Sequence, residues 1–278
     1  MVAAPRKTVD KPDVCKHVLA LLKKTYSTAA LKQDLPVLEI MLYAVCLEDS
    51  PLEQADQVYA KIHNGFHDLN EVRVSSVYEL EGLFRELPNP EWRALRVRNI
   101  LQYVFEATYG FDFEPFRRKT LELAQKQLGK IKSLSPFVKA FVLQQALDSH
   151  VLPVDHRLLQ MLQWLGLAEL NATPEHAGEA LRSAVRKADA PLFCYLLRCL
   201  RDDPRLTKAL SRGVTAPSGG SDEADGYARL TALFKGGAKA HAKPESKPDA
   251  ARKKPAAKGA ARPAAGKSSS QATKKKRK

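Results

Sequence analysis

The chain has 278 residues, of which 44% are hydrophobic, and it carries a formal net charge of +14 at pH 7. That length allows one large or two small domains with a buried core, and no run approaches the roughly 18–20 apolar residues of a membrane span. We also expect no secretory leader, because the N-terminus lacks an apolar stretch, and we expect thiols in a reducing compartment, because the four cysteines form no C-x-x-C pair.

The positive charge is concentrated at the C-terminal end. Residues 235–278 hold 15 basic and two acidic residues, net +13, which leaves 30 basic and 29 acidic residues, net +1, in the first 234 positions. No Val, Ile, Leu, Met, Phe, Tyr or Trp follows Phe234. Without side chains to bury, a segment cannot offset the entropy cost of ordering, so we expect 235–278 to be a disordered Lys/Ala/Pro-rich tail.

A basic tail of this kind is expected to bind phosphate backbones by counterion release, without reading sequence. The alternative is a solubilising tail with no partner. The predicted tail contacts to DNA are Lys274, Lys275, Lys276, Arg277 and Lys278.

The elements ahead of the tail have helical periodicity. We expect a loose leader at 1–12, a helical domain at 13–212 and a linker at 213–234. An apolar helix ending near Leu47 is predicted to be buried on most sides. Ser50 and Glu53 have capping-box spacing around Pro51, which predicts the start of the next helix.

The stretch Ile131 to Arg157 is predicted to form a turn, a helix, a loop and the start of a second helix. Ser135 is followed by proline at the first helical position, which predicts an N-cap. Asp155 stands where the next helix begins, and one interpretation is that its side chain only caps that helix. Further on, Gly166 predicts a helix stop and Thr173 another N-cap. The chain has no long alternating pattern, so we predict an all-α fold.

Val-Leu-Pro-Val-Asp-His-Arg, around Asp155, resembles the VDTH-type segment of the endonuclease III-like DNA glycosylases, the helix-hairpin-helix-GPD superfamily. Ala140-Phe141-Val142-Leu143 with Ala146-Leu147 resembles the family's helix after its hairpin. The resemblance implies an endonuclease III-like two-lobed helical fold with a helix-hairpin-helix element, and it makes Asp155 the catalytic carboxylate.

The family's hairpin, LPGVGxKTA, aligns with residues 131–139. Ser133 and Ser135 stand at its glycine positions, and Phe137 stands where bifunctional members carry the Schiff-base lysine. A phenylalanine cannot form an imine, so a lyase step through this position is not expected. The hairpin residues expected to contact the DNA backbone are Lys132, Ser133, Ser135 and Lys139.

Two functions follow from the resemblance: a monofunctional DNA glycosylase with Asp155 as its catalytic carboxylate, or a non-enzymatic, nucleoid-associated DNA-binding protein on a degenerate glycosylase fold. A helical protein-interaction module is the third alternative. The expected partner is DNA, bound by a monomer through backbone contacts of low sequence specificity, in the cytoplasm or in a eukaryotic nucleus.

No metal or cofactor is expected. The family often carries a four-cysteine iron–sulfur cluster near its C-terminus, but here only Cys194 and Cys199 lie in that region, inside an apolar helix. His150 and His156 bracket Asp155 without forming a convincing metal site.

Overall fold

The structure is a computed structural model that describes residues 10–27, 35–211 and 223–238. Within these residues it contains α-helices, three short 3₁₀ turns and no strand, which confirms the all-α prediction. All of them belong to a unit spanning Met1–His241, whereas the second unit, Ala242–Lys278, with the predicted contacts Lys274 to Lys278, lies outside the described residues. In the described ranges, no helix is both long and apolar enough to cross a membrane.

The helices are numbered in chain order. Their bounds are α1 Lys11–Thr25, α2 Val37–Leu47, α3 Leu52–Asn64, α4 Leu69–Val74, α5 Val77–Glu81, α6 Pro90–Thr108, α7 Leu121–Gly129, α8 Pro136–Leu147, α9 His156–Trp164, α10 Pro174–Arg182, α11 Ala190–Asp202, α12 Pro204–Ser211 and α13 Glu223–Ala238. The 3₁₀ turns are Gly82–Phe84, Glu114–Arg118 and Lys187–Asp189.

The helices are arranged around two hydrophobic cores. Helices α2 to α8 enclose the first core, which we call the first lobe. The second core is enclosed by α1 and α9 to α13, the second lobe, so the N-terminal helix packs with the C-terminal ones. The two-lobed arrangement implied by the resemblance is therefore confirmed.

Helix α2 is the centre of the first lobe. Nine of its eleven residues are buried, and it packs against α3, α6 and α8. A helix that is apolar on most sides is stable only when surrounded, as the sequence predicted. Its last turn leads into the loop that meets the second lobe.

Three predicted N-caps form as expected. The side chain of Ser135 accepts from the Val138 N–H at 3.2 Å, and Thr173 caps α10 in the same way. Asp155 caps α9, with 2.8 Å between its Oδ1 and the Leu158 nitrogen. Each cap satisfies a backbone donor that the first turn leaves without an intrahelical partner.

The capping box predicted at Ser50 and Glu53 does not form. The Ser50 hydroxyl donates to the Glu48 carbonyl and accepts from Arg93. The first N–H of α3, at Leu52, is instead capped at 2.9 Å by a carboxylate 150 residues away, at the end of α11. A cap supplied from so far along the chain has no local sequence pattern.

The predicted linker at 213–234 contains a helix in its second half. Residues 223–238 form α13, which packs on the second lobe through the buried side chain of Leu230. Helix α1 also starts at Lys11, inside the predicted leader. The helical periodicity of apolar residues in α13 is weak, because the helix has only a few apolar residues and is followed by a polar and basic stretch.

Candidate functional site

The hairpin joins α7 to α8 through residues 130–135. Ser133 adopts a left-handed conformation, with φ of 61°. Two side chains of α6 hold the turn: Arg96 Nε donates to the Ser133 carbonyl at 3.1 Å, and Asn99 Nδ2 donates to the Lys132 carbonyl at 3.3 Å. The serine at this glycine position therefore adopts a left-handed turn between the two helices, at a conformational cost of about 1 kcal/mol.

The four hairpin residues expected to contact DNA are not equivalent. Lys132 and Ser133 are exposed. Ser135 is buried and its hydroxyl is engaged as the cap of α8. Lys139 is half-buried and borders a groove of about 330 Å³ between α7, α8 and α10. Only the first two lie open at the tip of the turn.

The carboxylate of Asp155 is 2% exposed and fully engaged. Its Oδ1 accepts from the Leu158 N–H at 2.8 Å. Its Oδ2 accepts from the Asp49 N–H at 3.0 Å and from Arg198 Nη1 at 2.8 Å. The side chain thus caps its own helix and joins two other segments to it.

The electrostatics of Asp155 favour the charged form. Burial by itself raises the pKa of this carboxyl. The positive charge of Arg198 and the hydrogen bonds from Leu158, Arg198 and Asp49 outweigh that effect and hold the pKa below its usual range. A group in this state is a fixed anion and a poor proton acceptor.

Arg198, from α11, closes the site. It is 6% exposed, and its guanidinium lies over the Phe137 ring at 4.9 Å from the centroid. The position where the resemblance puts the Schiff-base lysine is thus occupied by a buried ring, with an arginine between that ring and Asp155. The sequence analysis missed Arg198. The available signal was a lone arginine in the apolar run of α11, because buried arginines are nearly always paired.

Asp49 connects the first lobe to the start of α9. Its backbone N–H donates to Asp155, and its own Oδ1 accepts from the His156 N–H at 2.9 Å. The His156 ring lies 3.2 Å from Asp49 Oδ2. Since Asp49 itself has φ of 53°, this reciprocal pair fixes a sharp turn directly opposite the α9 N-terminus.

Arg93 of α6 fixes the loop that carries Asp49. This buried guanidinium donates to the carbonyls of Val45, Cys46 and Glu48 at the end of α2. A cation there also opposes the negative end of the α2 dipole. One turn further along α6, Arg96 pairs with the Glu48 carboxylate and reaches the hairpin. Helix α6 therefore holds the loop and the hairpin in one rigid arrangement.

A cavity of about 40 Å³ lies between α2, α8 and α11. Its lining is mainly apolar and aromatic, with a few polar groups at one side. The lining includes Tyr43, Phe141, Gln144, Cys194, Tyr195 and Arg198. Burial raises the pKa of the Cys194 thiol to about 12, so this sulfur is a packing group.

The cysteines are distributed over both hydrophobic cores. Cys15 and Cys46 lie in different hydrophobic cores, while Cys194 and Cys199 are both on α11. Among the described residues, no three His, Cys, Asp or Glu side chains are grouped so that they could hold a metal ion.

Comparison with solved structures identifies the fold. A non-covalent endonuclease III–DNA complex gives a TM-score of 0.54 at 12% identity, covering 80% of this chain and 99% of that chain. The H. pylori 3-methyladenine DNA glycosylase bound to 1,N6-ethenoadenine gives 0.52 at 16%, covering 73% and 99%. A Clostridium acetobutylicum 8-oxoguanine glycosylase/lyase bound to double-stranded DNA gives 0.51 at 13%, covering 70% and 71%.

The chain therefore has an all-α, two-lobed fold of the DNA glycosylase class. More specifically, it has the endonuclease III-like, helix-hairpin-helix-GPD fold. No protein-family model and no curated protein matches the sequence.

Proposed function

We propose that this protein binds DNA through the hairpin between α7 and α8, and that Asp155 has a structural role in it. The observation that carries the proposal is the Asp155–Arg198 ion pair, buried behind a hairpin that keeps its turn geometry. A nucleoid-associated, DNA-holding role as a monomer, with low sequence specificity, is part of the same proposal.

Base release requires a carboxylate close to the sugar of an extruded nucleotide, where it stabilises a cation-like transition state. The Asp155 oxygens already accept three hydrogen bonds from protein donors. Exposing them to a nucleotide means displacing Arg198 and leaving that buried cation without its partner. Removing one partner of such a pair is costly, which supports a structural role.

DNA contacts at the hairpin are supported by its open side chains. Lys132 supplies a charge for phosphate, and the exposed Ser133 leaves the backbone of the turn accessible. Trp92 is 55% exposed and shares a face of α6 with Arg96 and Asn99, the residues that hold the hairpin. An exposed indole beside a phosphate contact suits stacking on bases or insertion between them.

The second candidate is a monofunctional DNA glycosylase with Asp155 as its catalytic carboxylate. The observation in its favour is the aromatic-lined cavity, bordered by Tyr43, Phe141 and Tyr195, which ends at Arg198. Aromatic walls and polar edge groups suit a flipped base. This mechanism requires the Asp155–Arg198 pair to separate when DNA binds, so that the cavity widens and the carboxylate becomes accessible.

The binding experiment compares the full chain with a chain ending at Ala238, using a duplex at several salt concentrations. The truncated chain should still bind, with a smaller salt slope because the tail cations are gone. In that background Lys132→Gln should weaken binding and reduce the slope by about 1. Lys24→Gln, an exposed lysine of α1, is the matched control and should change neither value.

The activity experiment incubates the wild-type chain with a panel of damaged duplexes and measures released base. No release by a chain that binds the duplexes supports the structural role of Asp155. Release that disappears in a folded Asp155→Asn variant would establish the glycosylase instead. Binding that depends on neither Lys132 nor the tail would contradict the DNA-binding proposal.

A further inference from the structure

We propose that a recess bordered by Ser50, Arg157, Arg198 and Arg201 is a binding site for a phosphate group. The inference deepens the proposed DNA binding and rests on it only for the source of the phosphate. The recess is separate from the hairpin, on the surface where the start of α9 and the end of α11 meet the loop between α2 and α3.

Three arginines from two helices reach this recess. Arg157 comes from the first turn of α9, and Arg198 and Arg201 come from successive turns of α11. Together with Ser50 from the loop and the side chain of Asp202 they border this solvent-facing recess. The recess is shallow, so a bound anion would sit at its mouth, with Arg198 as the inner charge.

The carboxylates beside the recess are already committed to other groups. Asp155 holds Arg198 and caps α9. Asp202 accepts from Arg157 Nη2 at 2.7 Å through one oxygen and from the Leu52 N–H at 2.9 Å through the other. Three guanidinium groups therefore face two carboxylates, which leaves a positive charge in partly buried surroundings.

Two of the arginines also keep donors without partners. Arg198 Nη2 and Arg201 Nε are inaccessible to solvent and have no hydrogen-bond acceptor among the described residues. An unmatched buried donor is unfavourable, more so on a charged group, and native structures satisfy nearly all of them. Both atoms belong to residues that border the same recess, so one bound group with several oxygens could serve both after small shifts of the two side chains.

The arginines repel one another in this position. Burial and the neighbouring Arg157 charge lower the pKa of Arg201, and the nearby Asp202 and Asp155 offset this only in part. A bound anion would remove that repulsion. Guanidinium donors that approach from α9 and from α11 match a tetrahedral group with several acceptor oxygens, which is the recognition typical of arginine and phosphate.

The phosphate could belong to a DNA backbone or be free in solution, and two measurements separate these sources. The first is the melting temperature of the full chain in inorganic phosphate against sodium chloride of equal ionic strength. At about ten times the dissociation constant, phosphate should raise the wild-type value by about 3–5 °C. The Arg201→Gln variant described next keeps the tail, so a shift that this variant loses does not come from the tail.

Arg201→Gln should abolish the phosphate-dependent shift, and Arg201→Lys should keep part of it, since it retains charge but not the guanidinium fork. Both variants should fold, because removing this cation relieves repulsion with Arg157. Arg182→Gln, an exposed arginine of α10, is the matched control and should behave as wild type. Equal shifts in wild type and Arg201→Gln, or no shift in wild type, would overturn the proposal.

The second measurement is the salt slope of duplex binding by the full chain. A slope reduced by about 1 in Arg201→Gln assigns the site to a DNA phosphate. An unchanged slope, with the melting shift lost, assigns it to free phosphate. If wild type binds no DNA at all, the proposed function fails, while the melting result still decides whether the site exists.

Discussion

At the scale of single residues, the charged side chain of Asp155 makes several interactions at once. It caps α9, holds the loop of Asp49 and neutralises Arg198, all from a position that is 2% exposed. A carboxylate can do this because its two oxygens together accept several donors. The same arrangement makes it unavailable to any ligand while Arg198 stays in place.

Asp155→Asn should destabilise the protein by about 3–5 kcal/mol, because it leaves the buried Arg198 without a counter-ion. The helix cap itself should survive, since asparagine caps nearly as well as aspartate. The measurement is the free energy of unfolding in urea.

Asp148→Asn is the matched control for that measurement. Its side chain is 83% exposed and pairs with Lys187 at 3.3 Å, so its loss should cost less than about 0.5 kcal/mol. Similar costs for the two variants would show that the buried pair contributes little to stability.

Ser133→Gly should stabilise the protein by about 1 kcal/mol, because glycine adopts a left-handed conformation without the steric cost that serine bears. Urea unfolding tests this. Ser183→Gly, at φ of −73°, should instead be neutral or destabilising. A destabilised Ser133→Gly variant would mean that its side chain contributes contacts that outweigh the strain.

At the scale of elements, helix caps that act over a few residues follow from the sequence, whereas contacts between distant positions do not. Ser135, Asp155 and Thr173 cap the helices that follow them, because a capping side chain and the backbone N–H that donates to it lie within four residues. Helix α3 starts at Leu52, one residue after the predicted first helical position at Pro51, and its cap comes from Asp202. Arg93 donates a hydrogen bond to the Ser50 hydroxyl, which the predicted capping box would have used.

Helix α13 depends on one close approach. A Cβ built on Gly226 would lie 1.9 Å from the carbonyl oxygen of Leu165, on the second lobe. Next to that contact, Arg229 donates to the Trp164 carbonyl at 2.6 Å, and Leu230 is fully buried. Only glycine lets the helix lie this close to the end of α9.

Gly226→Ala should therefore weaken the packing of α13 and lower the free energy of unfolding by about 1–3 kcal/mol, the cost of overpacking. Faster amide hydrogen exchange at Leu230 is the local readout. Gly82→Ala is the control, because a Cβ there meets nothing within 4 Å. If both substitutions have the same effect, α13 does not rest on Gly226.

At the scale of the whole molecule, the site is the contact between the two lobes. Asp49 meets Asp155, Arg198 lies over Phe137, and Asp202 caps α3, and each of these pairs takes one member from each lobe. Charged groups at such a contact are favourable only when paired, which links the relative position of the lobes to their ionisation.

Acid should therefore weaken the fold. Asp155 and Asp203 have lowered pKa values: burial raises both, but the charge of Arg198 at Asp155 and the hydrogen bonds from Arg205 and Tyr26 at Asp203 outweigh it. A lowered carboxyl pKa adds stability that is complete above the unfolded value of about 3.9 and is lost as the pH falls through the folded value. The free energy of unfolding should drop below about pH 4.

Glu48 has the opposite effect on the pH dependence of the free energy of unfolding. Burial raises its pKa despite the nearby Arg96, so its contribution to stability declines as the pH rises past the unfolded value of about 4.3. Urea midpoints between pH 3 and 7 test the balance. In Asp203→Asn the urea midpoint should fall less steeply with decreasing pH than in wild type. An identical dependence on pH would show that Asp203 does not contribute to acid destabilisation.

By itself, the sequence determined the helical class, most helix starts, the resemblance around Asp155 and the departure at Phe137. These follow from periodicity and from caps, which act over a few residues. Only the tertiary structure decided what Asp155 does, because its partners Asp49 and Arg198 lie 106 and 43 positions away. A carboxylate at a helix start looks alike in sequence whether it faces a groove or a buried arginine, and the packing of the two lobes makes the difference.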